Sequence, residues 1–75
     1  MKNECGKMRT KDDPYEVWAV DGWTWRVLKK YKSPDGEAKD QYARWFCFVT
    51  SPMCPTGDMG DVYVADIKTL AKKVS

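Results

Sequence analysis

Apolar and polar positions alternate in two neighbouring stretches near the start of the chain. Residues 15–20 and 23–28 are rich in β-branched and aromatic side chains, which favours strands. Asp21-Gly22 lies between them and is typical of a type I′ turn, in which both central residues take positive φ. A two-residue turn predicts a hairpin that pairs Trp18 with Trp25, Val20 with Trp23 and Glu16 with Val27 on one side. The other side then carries Tyr15, Val17, Ala19, Thr24, Arg26 and Leu28, and a slip of one residue would exchange the two sides of one strand.

A third strand is predicted from Tyr42 to about Thr50. It follows a loop over residues 32–41, which contains the turn signal Ser33-Pro34-Asp35-Gly36. One side of the strand carries Tyr42, Arg44, Phe46 and Phe48, and the other carries Ala43, Trp45, Cys47 and Val49. Because both sides are largely apolar, we expect this strand to be central in its sheet and covered on both faces.

The last 25 residues predict a loop, a short strand and a helix. Residues 51–60 contain several Pro and Gly residues, which favours a long loop. Residues 61–64 can form a short fourth strand. From Ala65 or Asp66 onward, apolar residues recur at helical spacing. They are Ile67, Leu70, Ala71 and Val74, with Lys68, Lys72 and Lys73 on the outer side. The fold class predicted is therefore α+β, a small antiparallel β-sheet of three to four strands with a C-terminal helix packed on one face.

Length and composition indicate one small domain. The chain has 75 residues, and 43% of them are hydrophobic, which favours a folded globule over a disordered tail. Residues 1–13 are polar and lack periodicity, so we expect a flexible N-terminal arm, followed by a single domain over residues 14–75. The sequence contains no apolar run of the roughly 18 residues that a membrane span needs, nor an apolar N-terminal stretch typical of a signal peptide. We therefore expect a cytoplasmic protein without a membrane partner.

Four strings of the sequence resemble small uncharacterised accessory proteins of actinobacteriophages, including mycobacteriophages. They are residues 13–18, 22–31, 42–47 and 60–67, so the resemblance spans about residues 13 to 68. It implies a non-virion accessory protein in the cytoplasm of an infected bacterium, and it implies neither an activity nor a site.

The residue types argue against catalysis, metals and cofactors. The chain has no histidine, and its three cysteines, Cys5, Cys47 and Cys54, form no CxxC pair, so a four-ligand zinc site is not expected. No nucleophile elbow, P-loop or dinucleotide-binding motif is present. The carboxylates Asp58, Asp61 and Asp66 could in principle gather a metal ion, but turns and the first turn of a helix favour acids without one. We therefore predict a protein that is not an enzyme and holds no cofactor.

Ten aromatic residues in so short a chain point to binding. The rings either fill a small core or remain partly on the surface, where a contiguous apolar patch usually marks an interface. In the second case we expect a host protein, or a second copy in a homodimer, to bind the sheet face that the helix leaves uncovered. The residues predicted for that surface are Tyr15, Arg26, Tyr42, Arg44 and Phe46.

Nucleic-acid binding is the alternative hypothesis. Bases would stack on Trp23, Trp25 and Tyr31, while nearby cations would contact phosphates. Those cations are Lys29, Lys30 and Lys32, together with Arg26 and Arg44. The net charge of +2 is low for this function, so protein binding is the preferred hypothesis.

Overall fold

Residues 9–31 and 43–75 are described by a computed structural model, and they form an antiparallel sheet with one short helix. Along the chain the elements are β1 (Val17–Val20), β2 (Trp23–Lys30), β3 (Arg44–Ser51), β4 (Cys54–Tyr63), α1 (Val64–Leu70) and β5 (Lys72–Lys73). The strands lie in the order β4-β3-β2-β1-β5. This mostly β arrangement with a C-terminal helix is consistent with the α+β class. The prediction of three to four strands is wrong, because the described residues form five.

The β1–β2 hairpin forms at the predicted turn. Asp21 and Gly22 have φ of 46° and 87°, as a type I′ turn requires. Trp18 faces Trp25 and Val20 faces Trp23, so the predicted register is confirmed for these pairs. The β3–β4 turn lies beside this hairpin, because a Cβ on Gly22 would lie 3.0 Å from Cγ of Pro52.

A bulge ends the regular β1–β2 pairing at the third predicted pair, Glu16 with Val27, which keeps one of its two backbone hydrogen bonds. The Val27 N–H donates to the Glu16 carbonyl, but the Tyr15 N–H donates to the Val27 carbonyl, so two residues of one strand face one residue of the other. A second irregularity in β2 lies between Val27 and Lys29 where β2 pairs with β3. Leu28 is the extra residue there, and it is almost fully buried.

Strand β4 occupies most of the stretch predicted as a loop, so the prediction of a loop over residues 51–60 is wrong. The reversal needs only a tight turn at Pro52-Met53, after which Cys54 faces Ser51. Pro55 lacks an N–H but is tolerated because β4 is an edge strand of the sheet. Gly57, with φ of 86°, lies within the irregular part of the pairing, between the Val49 and Ser51 pairs.

The helix is shorter than its pattern predicts. It begins at Val64 and ends at Leu70, whereas apolar spacing predicts a helix that includes Val74. Ala71 is extended, and the next two residues form β5, which pairs with Trp18 and Ala19 of β1. The free edge of β1 offers backbone hydrogen-bonding groups, and pairing with them satisfies the backbone of the last residues in place of a further helical turn.

Helix α1 packs on one face of the sheet, as predicted. It follows β4 at one edge of the sheet and leads to β5 at the other, so it crosses the strands between them. The core between helix and sheet consists of Trp25, Val27, Trp45, Cys47, Val64, Ile67 and Ala71. This side of the sheet is called the helix-covered face below. Because Cys47 and Ile67 are fully buried, this face forms the main core of the protein.

Several predicted features lie outside the described residues. They are the first eight residues of the predicted arm, the loop over residues 32–41, Tyr42, Lys32 and Cys5. Residues 9–13 are described, and the Arg9 N–H donates to the Leu28 carbonyl at 2.9 Å. The boundary between arm and domain stays a prediction. In the two described stretches, no helix has the length and apolar character needed to cross a membrane.

Candidate binding surface

Strands β2, β3 and β4, with Tyr31 directly after β2, bring nine side chains together on the face of the sheet opposite α1. Arg26, Phe48 and Met59 face one another across the three strands, and Lys29, Phe46 and Asp61 form the next row. In the third row, Arg44 faces Tyr63, and the Tyr31 N–H donates to the Arg44 carbonyl at 3.3 Å. Facing residues share a side of the sheet, and these alternate with the buried Trp45 and Cys47. We call this nine-residue surface the second face.

Large side chains on the second face are accessible. Met59 is 53% exposed and Tyr63 is 50% exposed, and Tyr31 is also exposed, while Phe46 and Phe48 are half-buried. The Lys11 ammonium lies 5.1 Å from the ring centroid of Phe48. The second face is therefore an apolar and aromatic surface interspersed with cations.

Tyr31, Asp61 and Arg44 are linked through polar contacts at one end of the second face. The Tyr31 hydroxyl donates to Asp61 Oδ1 at 3.1 Å, and Arg44 Nη1 lies 3.9 Å from Asp61 Oδ2. Desolvation, the hydrogen bond to Asp61 and its negative charge raise the pKa of Tyr31 above its usual 10.0, although Arg44 opposes them. The phenol is therefore a neutral hydrogen-bond donor at neutral pH, and the network fixes the ring beside Arg44.

Cations also contact the ring of Tyr31. Lys29 Nζ lies 5.2 Å from its centroid and Arg44 Cζ lies 5.9 Å from it. With Arg26, the second face carries three cations against the single carboxylate of Asp61. Its charge is therefore net positive, and the Tyr31 ring lies close to two of its cations, Lys29 and Arg44.

The structure brings together three of the five residues predicted for the binding surface. Arg26, Arg44 and Phe46 lie on the second face, whereas Tyr42 lies outside the described residues. Tyr15 instead lies with Arg9, whose Cζ is 4.1 Å from its ring centroid, and with Lys30, whose Nζ is 5.7 Å from it.

The lysines of the alternative hypothesis do not share one surface. Lys29 faces Phe46 and Lys30 faces Trp45, so consecutive lysines extend to opposite sides of the sheet. Lys30 forms an ion pair with Glu16 and lies 5.0 Å from the ring centroid of Trp45. Lys32 lies outside the described residues. The two described lysines therefore do not form one phosphate-binding patch.

Strand β4 contributes Met59, Asp61 and Tyr63 to the second face, and sequence reasoning named none of these three for the binding surface. The sequence predicts a loop over residues 51–60, so it does not predict which side of the sheet the residues of β4 before Asp61 face. The spacing of two between these three residues is a signal that could have placed them on one side of a strand.

Cysteine chemistry is suppressed at the centre of the sheet. Burial and, secondarily, the negative charge of Asp61 raise the pKa of Cys47 to about 12. The Cys47 thiol lies 3.8 Å from the Trp45 carbonyl, to which it donates. Among the residues that the structure describes, no three His, Cys, Asp or Glu side chains come together as metal ligands would.

Comparison with protein-family models, with curated proteins and with solved structures finds no match to this chain.

Proposed function

We propose that this chain is a non-catalytic binding module that engages a host protein through the second face and modulates it, as a phage-type accessory protein. One observation carries the proposal: three neighbouring strands present aromatic rings, a methionine and two arginines on one face, with Met59 and Tyr63 about half exposed. Exposed apolar residues are common singly, but a contiguous patch of them favours an interface.

The composition of the second face fits a protein partner. Aromatic residues, Met and Arg are enriched at protein interfaces, and they include the side chains whose truncation costs most binding energy. Tyr63 and Arg44 are the best anchors because they face each other across β3 and β4 and both are exposed. Asp61 holds Tyr31 beside them, which lowers the entropy lost when a partner fixes that ring.

Charge indicates what the partner presents. Arg26, Lys29 and Arg44 exceed the single carboxylate of Asp61, so a complementary surface would combine apolar side chains with Asp or Glu. A nucleic acid would also be anionic, but it fits less well because Lys30 is committed to Glu16 on the helix-covered face. Binding driven by aromatic anchors should depend weakly on salt, whereas phosphate binding should weaken steeply.

The first experiment compares two variants in capture and affinity. The tagged protein is used on nuclease-treated actinobacterial lysate, and the captured protein is purified for calorimetry. We expect Arg44→Ala combined with Tyr63→Ala to weaken binding at least about tenfold, since both side chains are interface anchors. Met53→Ala is the matched control, because Met53 is highly exposed but lies in the β3–β4 turn, off the second face.

Three results would contradict the proposal. The first is equal binding by the double variant and the Met53→Ala control. The second is capture that occurs only when nuclease is omitted from the lysate and that is lost at raised salt, which would favour the alternative function. The third is a homodimer in light scattering that the double variant converts to monomer without any host protein bound, which would make the second face a contact between copies.

A further inference from the structure

A second candidate site lies on the helix-covered face, at the turn of the β1–β2 hairpin. Val20, Asp21, Trp23, Trp25 and Leu70 line a cleft with a volume of about 410 Å³. Small-molecule sites commonly enclose about 300–1,000 Å³, so this cleft could hold a small ligand. It is separate from the second face, which lies on the other side of the sheet.

Two tryptophans give the cleft its chemistry. The rings of Trp23 and Trp25 are stacked, with centroids 6.0 Å apart and planes inclined by 21°. Trp25 is buried in the core and anchors the pair, whereas Trp23 remains 40% exposed. An indole held in this way presents a fixed, electron-rich surface, and Trp is the aromatic residue that attracts cations most strongly.

The remaining walls combine apolar groups with one negative charge. Leu70, at the end of α1, is 61% exposed, and Val20 is half-buried beside the turn. Asp21 is exposed, and none of the side-chain ion pairs formed within residues 9–31 and 43–75 involves it. The cleft therefore offers an aromatic surface, methyl groups and a carboxylate without a cationic partner among those residues.

We propose that this cleft binds a small, free quaternary ammonium compound. The methyl groups of such a cation pack against Val20 and Leu70, while its charge is attracted by the Trp23 ring and by Asp21. A simple ammonium ion is more strongly hydrated and gains less from the apolar walls. A zwitterion that carries its own carboxylate is repelled by Asp21, so choline is preferred to betaine.

The test follows the indole N–H signals by NMR during titration with choline. The signal of Trp23 is identified as the one that disappears in Trp23→Leu. The neutral control ligand is 3,3-dimethyl-1-butanol, which has the shape of choline without its charge. We expect choline to shift the Trp23 signal and to bind about tenfold more tightly than the neutral ligand, since the cation–π and carboxylate attractions are lost without charge.

Asp21→Asn is the key variant because asparagine tolerates the positive φ at this turn and removes only the charge. We expect it to weaken choline binding several-fold and to leave binding of the neutral ligand unchanged. Tyr63→Ala, on the second face, should leave choline binding unchanged. The absence of choline binding and the absence of host-protein binding on the second face are therefore separate results.

Two outcomes would overturn this inference. Equal effects of choline and 3,3-dimethyl-1-butanol, or no shift of the Trp23 signal with choline, would mean that the cleft does not recognise a cation. Tighter binding of a trimethyl-lysine peptide than of choline would assign the cleft to a modified protein rather than to a free compound.

Discussion

The Glu16 carboxylate accepts hydrogen bonds from two side chains at one end of the β1–β2 pair. The Trp18 indole N–H donates to its Oε1 at 2.7 Å, and the Lys30 ammonium donates to its Oε2. Burial by itself would raise the pKa of Glu16, but the hydrogen bonds from Lys30 and Trp18 and the charges of Lys30 and Lys73 outweigh it. The pKa of Glu16 is therefore lowered from 4.5. The ionised carboxylate stabilises the folded state.

Glu16→Gln should lower the free energy of unfolding at neutral pH by about 1 kcal/mol, because the charge that pairs with Lys30 is lost. The pKa of Glu16 is lower in the folded state than in the unfolded state, where it is near 4.5. The ionised carboxylate therefore stabilises the folded state fully above about pH 4.5, and this stabilisation is lost as pH falls through the folded-state pKa. The difference in the free energy of unfolding between wild type and Glu16→Gln should therefore become smaller below about pH 4.5. Urea unfolding of both proteins at a series of pH values measures this difference.

Asp13→Asn is the control for this pH series. Asp13, like Glu16, forms an ion pair: its Oδ2 lies 3.4 Å from Nη1 of Arg9, but this pair is exposed. Exposed pairs contribute little, so this variant should follow wild type throughout. If the difference in the free energy of unfolding between wild type and Glu16→Gln stayed constant down to low pH, the role given to the Glu16 charge would be contradicted.

Cys47 should resist alkylation in the folded protein. With a pKa of about 12, only about one thiol in ten thousand is ionised near pH 8, and the side chain is fully buried as well. Cys54, which is only partly buried, should react with iodoacetamide faster, and peptide mass spectrometry distinguishes the two sites. In urea both should react at similar rates. Equal rates in the native protein would mean that the centre of the sheet opens readily.

At the scale of elements, strand β4 depends on Gly57. Its φ of 86° is a region that L-residues rarely adopt, and a Cβ placed there would overlap the ring of Phe48. The glycine therefore meets two requirements: it sets the backbone of the bulge, and it leaves room for a ring of the second face.

Gly57→Ala should lower the free energy of unfolding by about 2 kcal/mol or more, since backbone strain and steric overlap add. Gly60→Ala is the matched control, because a Cβ at Gly60 meets no atom within 4 Å. Its effect should be about 0.5 kcal/mol or less. Thermal or urea unfolding measures both. Similar losses for the two variants would show that Gly57 has no special conformational role.

The elements that sequence predicts well are those specified by neighbouring residues. The Asp21-Gly22 turn fixes the register that places Trp18 opposite Trp25, and period-two spacing places Arg44 and Phe46 on one face. Sequence predicts only the end of strand β4, because Pro55 and Gly57 favour a loop locally over residues 54–60, while pairing with β3 stabilises a strand there. The helix end was missed for a similar reason, because Lys72 and Lys73 pair with β1, which is distant in sequence.

The candidate surface was predicted only in part for the same reason. Arg26, Arg44 and Phe46 come from strands whose periodicity is clear in the sequence. Met59 and Tyr63 join them through the β3–β4 register, which local composition does not reveal. The cleft around Trp23 requires Leu70, whose position depends on where α1 ends, so no local pattern could have indicated it.

At the scale of the whole molecule, one sheet separates two surfaces of different character. The second face is net positive and aromatic, whereas the cleft at the β1–β2 turn combines two indoles with a carboxylate. The core packed beneath α1 lies on the same side as the cleft, and Trp25 belongs to both. A ligand in the cleft would therefore rest on the core, and a partner on the second face would bind from the opposite side.

The pairing of β5 with β1 has a kinetic consequence. Strands β1 to β4 follow one another in sequence and pair as neighbours, with turns of two residues at both ends of this series. Strand β5 instead joins the far end of the chain to its first strand, where Val17 exchanges backbone hydrogen bonds with Val74 and Ser75. Closing such a long loop costs entropy before any bond forms, so folding should end with this step. The outer edge of β1 is then the last part of the sheet to gain its partner and the first to lose it.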